Sequence, residues 1–179
     1  MTVFLSGGCK NGKSTLAEQI AVRLSRPEHL YYLATMIPHD EEDRLRIARH
    51  VQSRVGLGFQ TVECGLGLAK ALEKADPAGS YLLDSVTALL SNEMFRPDGS
   101  VDLSAPERVA GELTTLCRRL KHIVFVSDYI YSDALRYGEL TEEYRRGLAY
   151  IDRCLAAACD TVAEVSFGGR LIYKGEIPV

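Results

Sequence analysis

The segment Gly7-Gly8-Cys9-Lys10-Asn11-Gly12-Lys13-Ser14 constrains this chain more than any other. It fits the pattern G-x-x-x-x-G-K-[ST], and it lies between the apolar run Val3-Phe4-Leu5 and a helical pattern carrying Leu16, Ile20, Val22 and Leu24. A strand, a glycine loop and a helix in that order make a phosphate-binding loop. The backbone must bend tightly around phosphate oxygens, and a Cβ at Gly7 or Gly12 would obstruct the dihedrals or the close approach. Backbone N–H groups along the loop, including those of Gly8, Cys9, Lys10 and Asn11, then point inward, and the helix offers its positive end to the anion. Lys13 is expected to reach the β- and γ-phosphates of a nucleotide, ATP or GTP, and the Ser14 hydroxyl to ligate Mg²⁺.

Behind this loop, strand and helix patterns alternate. A first helix over 13–25 stops before Arg26-Pro27, because proline disfavours helix in the residue ahead of it. The apolar, aromatic run Leu30–Thr35 reads as a buried strand. A charged helix starts at Pro38-His39-Asp40, with acids over 40–43 where the helix dipole favours them. Phe59–Glu63 alternates like a strand, 66–75 reads as a helix, Tyr81–Asp84 as a strand and Ser85–Phe95 as a helix. After the turn at Arg96–Ser100 come an amphipathic helix over 106–121 and the strand His122–Ser127. The loop 128–133 would then sit at the carboxyl edge of the sheet, where open α/β sheets bind ligands. A long helix over 141–159, capped by Thr141, leads to a hairpin over 161–174 that turns at Phe167-Gly168-Gly169-Arg170. This order predicts one domain, residues 1–179, of three-layer α/β architecture: a RecA-like P-loop NTPase fold with a mainly parallel sheet and a C-terminal hairpin.

Two further features bear on chemistry. Arg46, His50 and Arg54 recur every four residues beside Ile47, Val51 and Val55, so a cationic stripe with a central histidine borders an apolar stripe expected to pack. Such a stripe is either a solvated basic face, or a face on which histidine serves as nucleophile, acid or base and arginine holds phosphate. Asp84 closes an apolar strand. It is either a helix-capping residue or the carboxylate that P-loop NTPases use to hold Mg²⁺.

Composition bounds the partners. A net charge of −3 and a pI near 5.8 give no basic field for nucleic acid. The opening Met1-Thr2-Val3-Phe4-Leu5 reads as neither signal peptide nor membrane span, which suggests a cytoplasmic protein. Five cysteines, an odd number without a C-x-x-C pair, are expected to be free thiols, and no metal-site spacing occurs.

Several segments taken together resemble one family. These are the phosphate loop, Tyr32-Leu33-Ala34-Thr35, Arg46-Ile47-Ala48-Arg49-His50 with Arg54, Thr61-Val62-Glu63, Leu82-Leu83-Asp84-Ser85-Val86-Thr87 with Leu90-Ser91-Asn92, and Val126-Ser127. Their order and spacing are similar to those of adenosylcobinamide kinase/adenosylcobinamide-phosphate guanylyltransferase. The resemblance implies two reactions of cobalamin nucleotide-loop assembly: phosphoryl transfer from NTP to adenosylcobinamide, and GMP transfer from GTP through a guanylylated histidine. It implies His50 as that histidine, Lys13 and Ser14 on phosphates and Mg²⁺, Asp84 as the acidic position, Glu63 as a nucleotide contact, a corrinoid acceptor and a homo-oligomer. The chain departs from the family pattern at Asp128-Tyr129-Ile130-Tyr131-Ser132, at Phe59 and at its terminus. A kinase acting alone on cobinamide or another small alcohol, and a nucleotide-dependent switch or binding protein, remain the alternative readings.

Overall fold

A strand with large apolar residues on both faces needs a helical layer on each side. The first strand already poses this demand: Val3 and Leu5 face one way, Phe4 the other, and all three are buried. A computed structural model describes residues 1–25, 29–73 and 76–178 of the chain.

Seven strands form one sheet: β1 (Thr2–Gly7), β2 (Leu30–Ala34), β3 (Gln60–Glu63), β4 (Ser80–Asp84), β5 (His122–Asp128), β6 (Thr161–Ser166) and β7 (Gly169–Lys174). Their order is β3-β2-β4-β5-β1-β6-β7, and all neighbours are parallel except the β6–β7 hairpin. Helix α1 (Lys13–Leu24) covers one face, where Leu16, Ala17 and Ile20 pack on Val3, Leu5, Leu82, Val124 and Val126. The opposite face carries α3 (Leu68–Ala71), α4 (Val86–Met94), α5 (Ala105–Arg119) and α6 (Glu139–Ala158), packed on Phe4, Leu33, Tyr81, Leu83, Ile123 and Phe125. The expected three-layer α/β fold with a mainly parallel sheet and a C-terminal hairpin is therefore present. The five cysteines are free thiols, and no helix among the described residues is long and apolar enough to cross a membrane.

Local differences from the sequence reading have physical causes. Helix α6 begins at Glu139 on Gly138, so Thr141 lies inside its first turn and does not cap it. The helix expected over 66–75 is only the single turn of α3, because Gly67 takes a left-handed φ of 65° just ahead of it; residues 74 and 75 lie outside the described residues. The stop at Arg26-Pro27 also falls outside them; α1 ends at Leu24, one residue short of the expected 25, with Ser25 as its C-cap.

The largest correction concerns α2 (Glu41–Ser53). Asp40 caps it, accepting from the Asp43 N–H at 2.8 Å, and the acids of its first turn sit where expected. Its apolar stripe, however, does not pack: no residue of the helix is buried, and Val51 within it and Val55 beyond it are 51% and 67% exposed. The stripe lies over the carboxyl edge of the sheet, where no core exists to receive it.

Candidate active site

The carboxyl ends of the parallel strands open onto one edge, and the site is built there. Gly7 ends β1 so close to β6 that a Cβ would collide with the Val165 carbonyl oxygen. Gly12 opens α1 with φ 87°, a left-handed conformation that favours glycine. Between them the loop is tied to β6 by Asn11 Nδ2, which donates to the Val165 carbonyl at 3.4 Å.

Lys13 is only 5% exposed. Its ammonium donates to the Gly8 carbonyl and pairs with Asp128 Oδ1 at 2.7 Å. Asp128 is set by the sheet: it lies opposite Gly7 in the β1–β5 register, and its N–H donates to Thr87 Oγ1 at 2.9 Å. Tyr129 stays against the phosphate loop, its N–H donating to the Gly7 carbonyl at 3.3 Å, and the remainder of the 128–133 loop is fastened from below. Tyr131 O–H donates to Asp152 Oδ2 at 2.8 Å, and Arg145 pairs with Asp133 at 2.8 Å while donating to the Ile130 and Leu135 carbonyls. Of that loop, only Asp128 lines the cleft described next.

A cleft of about 900 Å³ runs from the phosphate loop to α2. Cys9, Lys10, Asn11, Gly12, Lys13 and Ser14 form one wall; Arg46, His50 and Arg54 form the facing one; Asp84 and Glu63 lie at strand ends between them. The residues singled out from the sequence, apart from Gly7 and Gly8 beneath the loop, thus meet in one cavity. Asp84 ends β4 opposite Ala34 of β2 and Val126 of β5, and Tyr32 O–H donates to its Oδ2 at 3.3 Å. The turn after it is locked by Thr35, whose hydroxyl donates to the Ser85 carbonyl at 2.8 Å and accepts from the Ser85 N–H at 2.7 Å. Asn92 Nδ2 donates to the Thr35 carbonyl at 2.7 Å and to that of Gly65 at 3.0 Å.

The three members of the cationic stripe have different environments. Arg46 is exposed, His50 half-buried, and Arg54 buried at 7% exposure. The Arg54 guanidinium lies flat on the Tyr32 ring, 3.4 Å from its centroid, and shares the field of Glu18 and Asp84. It is no free surface cation. Burial, more than any charge, raises the Glu18 carboxyl above its ordinary value, with Arg54 pulling it down and Asp84 pushing it up. Burial likewise lowers the His50 imidazole below its ordinary value; the Asp84 carboxylate opposes this, and Arg46, Arg54 and Arg49 reinforce it. The histidine therefore sits neutral in a cleft otherwise rich in charge, with an electron pair available on its ring.

Glu18 and Tyr32 escaped the sequence reading as site residues, whereas Asp128 entered it as part of the loop 128–133 at the binding edge, without a role of its own. Glu18 lies one turn beyond Ser14 on α1, so helical spacing places it on the same side. Asp128 ends an apolar strand as Asp84 does, a signal that was available. Tyr32 offered none beyond its strand pattern.

Oxygen donors suit Mg²⁺, and Ser14 with Asp84 supplies one hydroxyl and one carboxylate. The described residues contain no group of three or more His, Cys, Asp or Glu able to hold a metal alone. A two-ligand site fits an ion that takes its remaining ligands from water and phosphate.

A parallel sheet bearing a phosphate loop between β1 and α1, with acids closing the neighbouring β4 and β5, defines a P-loop NTPase-type protein. The family model for cobinamide kinase / cobinamide phosphate guanyltransferase matches residues 3–172. The chain belongs to that family. It is 30% identical over 181 residues to the bifunctional adenosylcobalamin biosynthesis protein CobP of Pseudomonas aeruginosa, an alignment covering 98% of this chain and 99% of that one. Among solved structures, a Pyrococcus horikoshii protein studied as PH0250 superposes with a TM-score of 0.54 at 10% identity, over 97% of this chain and 86% of that one; this likeness concerns the fold alone.

Proposed function

We propose that this chain is a bifunctional enzyme of cobalamin biosynthesis, which phosphorylates adenosylcobinamide and then transfers GMP to the product through His50. Family membership and the bifunctional relative support the pair of activities. The observation that carries the histidine's role is that His50 and the Lys13–Ser14 phosphate loop line one cleft.

In the first reaction the aminopropanol hydroxyl of the corrinoid attacks the γ-phosphorus of the nucleotide and gives up its proton to solvent, the bond between the γ-phosphorus and the β–γ bridging oxygen breaks, and nucleoside diphosphate leaves. Lys13 and the loop N–H groups bind the phosphates and stabilise the charge that develops on them. Mg²⁺, held by Ser14 and Asp84, neutralises phosphate charge when bound. In the second reaction a ring nitrogen of His50 attacks the α-phosphorus of GTP, a P–N bond forms and pyrophosphate departs. An oxygen of adenosylcobinamide phosphate then attacks the same phosphorus and releases neutral His50. An imidazole kept neutral by burial suits both halves, since it attacks with a free electron pair and leaves readily from a phosphoramidate. In this reading Arg46 meets phosphate and Glu63 the nucleoside, and their place on the lining of the same cleft supports it.

The test is covalent labelling. GTP carrying label in its α-phosphate should leave acid-labile, alkali-stable label on the wild-type protein and none on His50→Ala. A wild-type protein that binds GTP yet takes up no label would overturn the guanylyl-histidine.

A further inference from the structure

Five acids among the described residues line the cleft, and the kinase half of the proposed function leaves one of them without a task. Asp84 serves Mg²⁺ and Glu63 the nucleoside. Glu18 accepts from Ser53 Oγ at 3.4 Å in the field of Arg54, and Glu42 lies exposed in the first turn of α2. Asp128 remains. It also opens the segment in which the chain departs from the family pattern.

The backbone of Asp128 is fixed from two sides, by its register opposite Gly7 and by its N–H on Thr87 Oγ1 at 2.9 Å. Its Oδ1 meets the Lys13 ammonium at 2.7 Å, and Lys13 is the residue that reaches the γ-phosphate in a phosphate loop. A phosphate that takes Lys13 from Asp128 must come within one ammonium's reach of both, so the carboxylate stands beside the phosphoryl group to be transferred. The Asp128 side chain is 22% exposed against 5% for Lys13, which leaves it open to water.

We propose that Asp128 is a catalytic residue of the kinase reaction, the base that takes the proton of the acceptor hydroxyl and passes it to solvent; this rests on the kinase reading of the cleft. As the hydroxyl oxygen forms its bond to the γ-phosphorus, its O–H bond breaks and the proton moves to Asp128 Oδ1. The bond between the γ-phosphorus and the β–γ bridging oxygen breaks, and its electron pair leaves with nucleoside diphosphate. The carboxylic acid then returns the proton to water on its exposed side. In the free protein Lys13 occupies Oδ1, and the move of the lysine onto phosphate frees that oxygen. The base is thus uncovered only when a phosphoryl donor fills the loop.

Asp128→Asn keeps the size and shape of the side chain and removes the base. With Mg-ATP or Mg-GTP and adenosylcobinamide as substrates, its kcat for phosphoryl transfer should fall about a hundred-fold or more, the scale of general-base catalysis. Its calorimetric affinity for Mg-nucleotide should not weaken, so that kcat and binding part company. Asp128→Glu, which restores a carboxylate, should recover part of the lost rate. A wild-type kcat in Asp128→Asn would overturn the relay, as would a loss of rate matched by an equal loss of nucleotide affinity, the mark of a structural role. A wild-type protein that phosphorylates no cobinamide would bring down the kinase reading and the relay with it, an outcome distinct from either of these.

Discussion

His50 carries the chemistry of the proposed transfer, and its environment fixes how that transfer should respond to pH. Its imidazole is lowered below 6.5, first by burial and then by Arg46, Arg54 and Arg49, against the opposing pull of Asp84. Nucleophilic attack needs the neutral ring, so self-guanylylation should rise with pH through a transition below the ordinary histidine value and be flat at neutral pH. Arg46 is exposed, and its removal takes away a charge that disfavours protonation. Arg46→Ala should therefore move the acid limb to higher pH; initial labelling rates between about pH 5 and pH 8 would measure this. A limb that stays in place would mean that Arg46 does not act on the histidine electrostatically.

At the scale of the element, α2 poses a question of anchorage. A helix without a buried residue gains little from the hydrophobic effect. Its C-terminal end is instead held by polar contacts: Arg54 flat on Tyr32, and Ser53 Oγ donating to Glu18 Oε1 at 3.4 Å. Arg54 thus acts as a positioning residue that fixes the end of α2, and with it His50 one turn earlier. Arg54→Ala should slow His50 labelling by roughly a hundred-fold, since displacement of about 1 Å is costly in catalysis. Nucleotide binding at the phosphate loop should persist. Arg54→Lys should not restore the rate, because an ammonium cannot lie flat on the ring as a guanidinium does; full rescue by lysine would show that charge alone matters. Sequence spacing revealed the helix and its two stripes. It did not reveal that Arg54 is buried, because that depends on Tyr32 and Glu18, from elements that spacing within α2 cannot see.

The whole molecule determines the state of Lys13. The β1–β5 pairing brings Asp128 against Gly7 and so beside the lysine, which must leave this 2.7 Å partner to meet phosphate. Asp128→Asn should therefore tighten nucleotide binding by about ten-fold, as expected when one charged contact no longer competes. The same change leaves a buried ammonium with less compensation, at a cost on the order of 1–2 kcal/mol. The melting temperature of the free protein should fall by several degrees, and added Mg-nucleotide should recover more of it than in wild type. Unchanged affinity in a thermal-shift titration would mean that the pair opens without cost.

The sequence by itself determined the phosphate loop, most strands and helices, and the candidate residues Lys13, Ser14, His50 and Asp84. These signals are local: glycine conformations, apolar runs and helical spacing are written within a few consecutive residues. Tertiary structure decided which residues meet. Strand order placed Asp128 on Lys13, and the packing of α2 against the sheet edge set Arg54 over Tyr32 and left the helix's apolar stripe without a core. Each of these depends on contacts between segments distant in the chain, which no local pattern encodes.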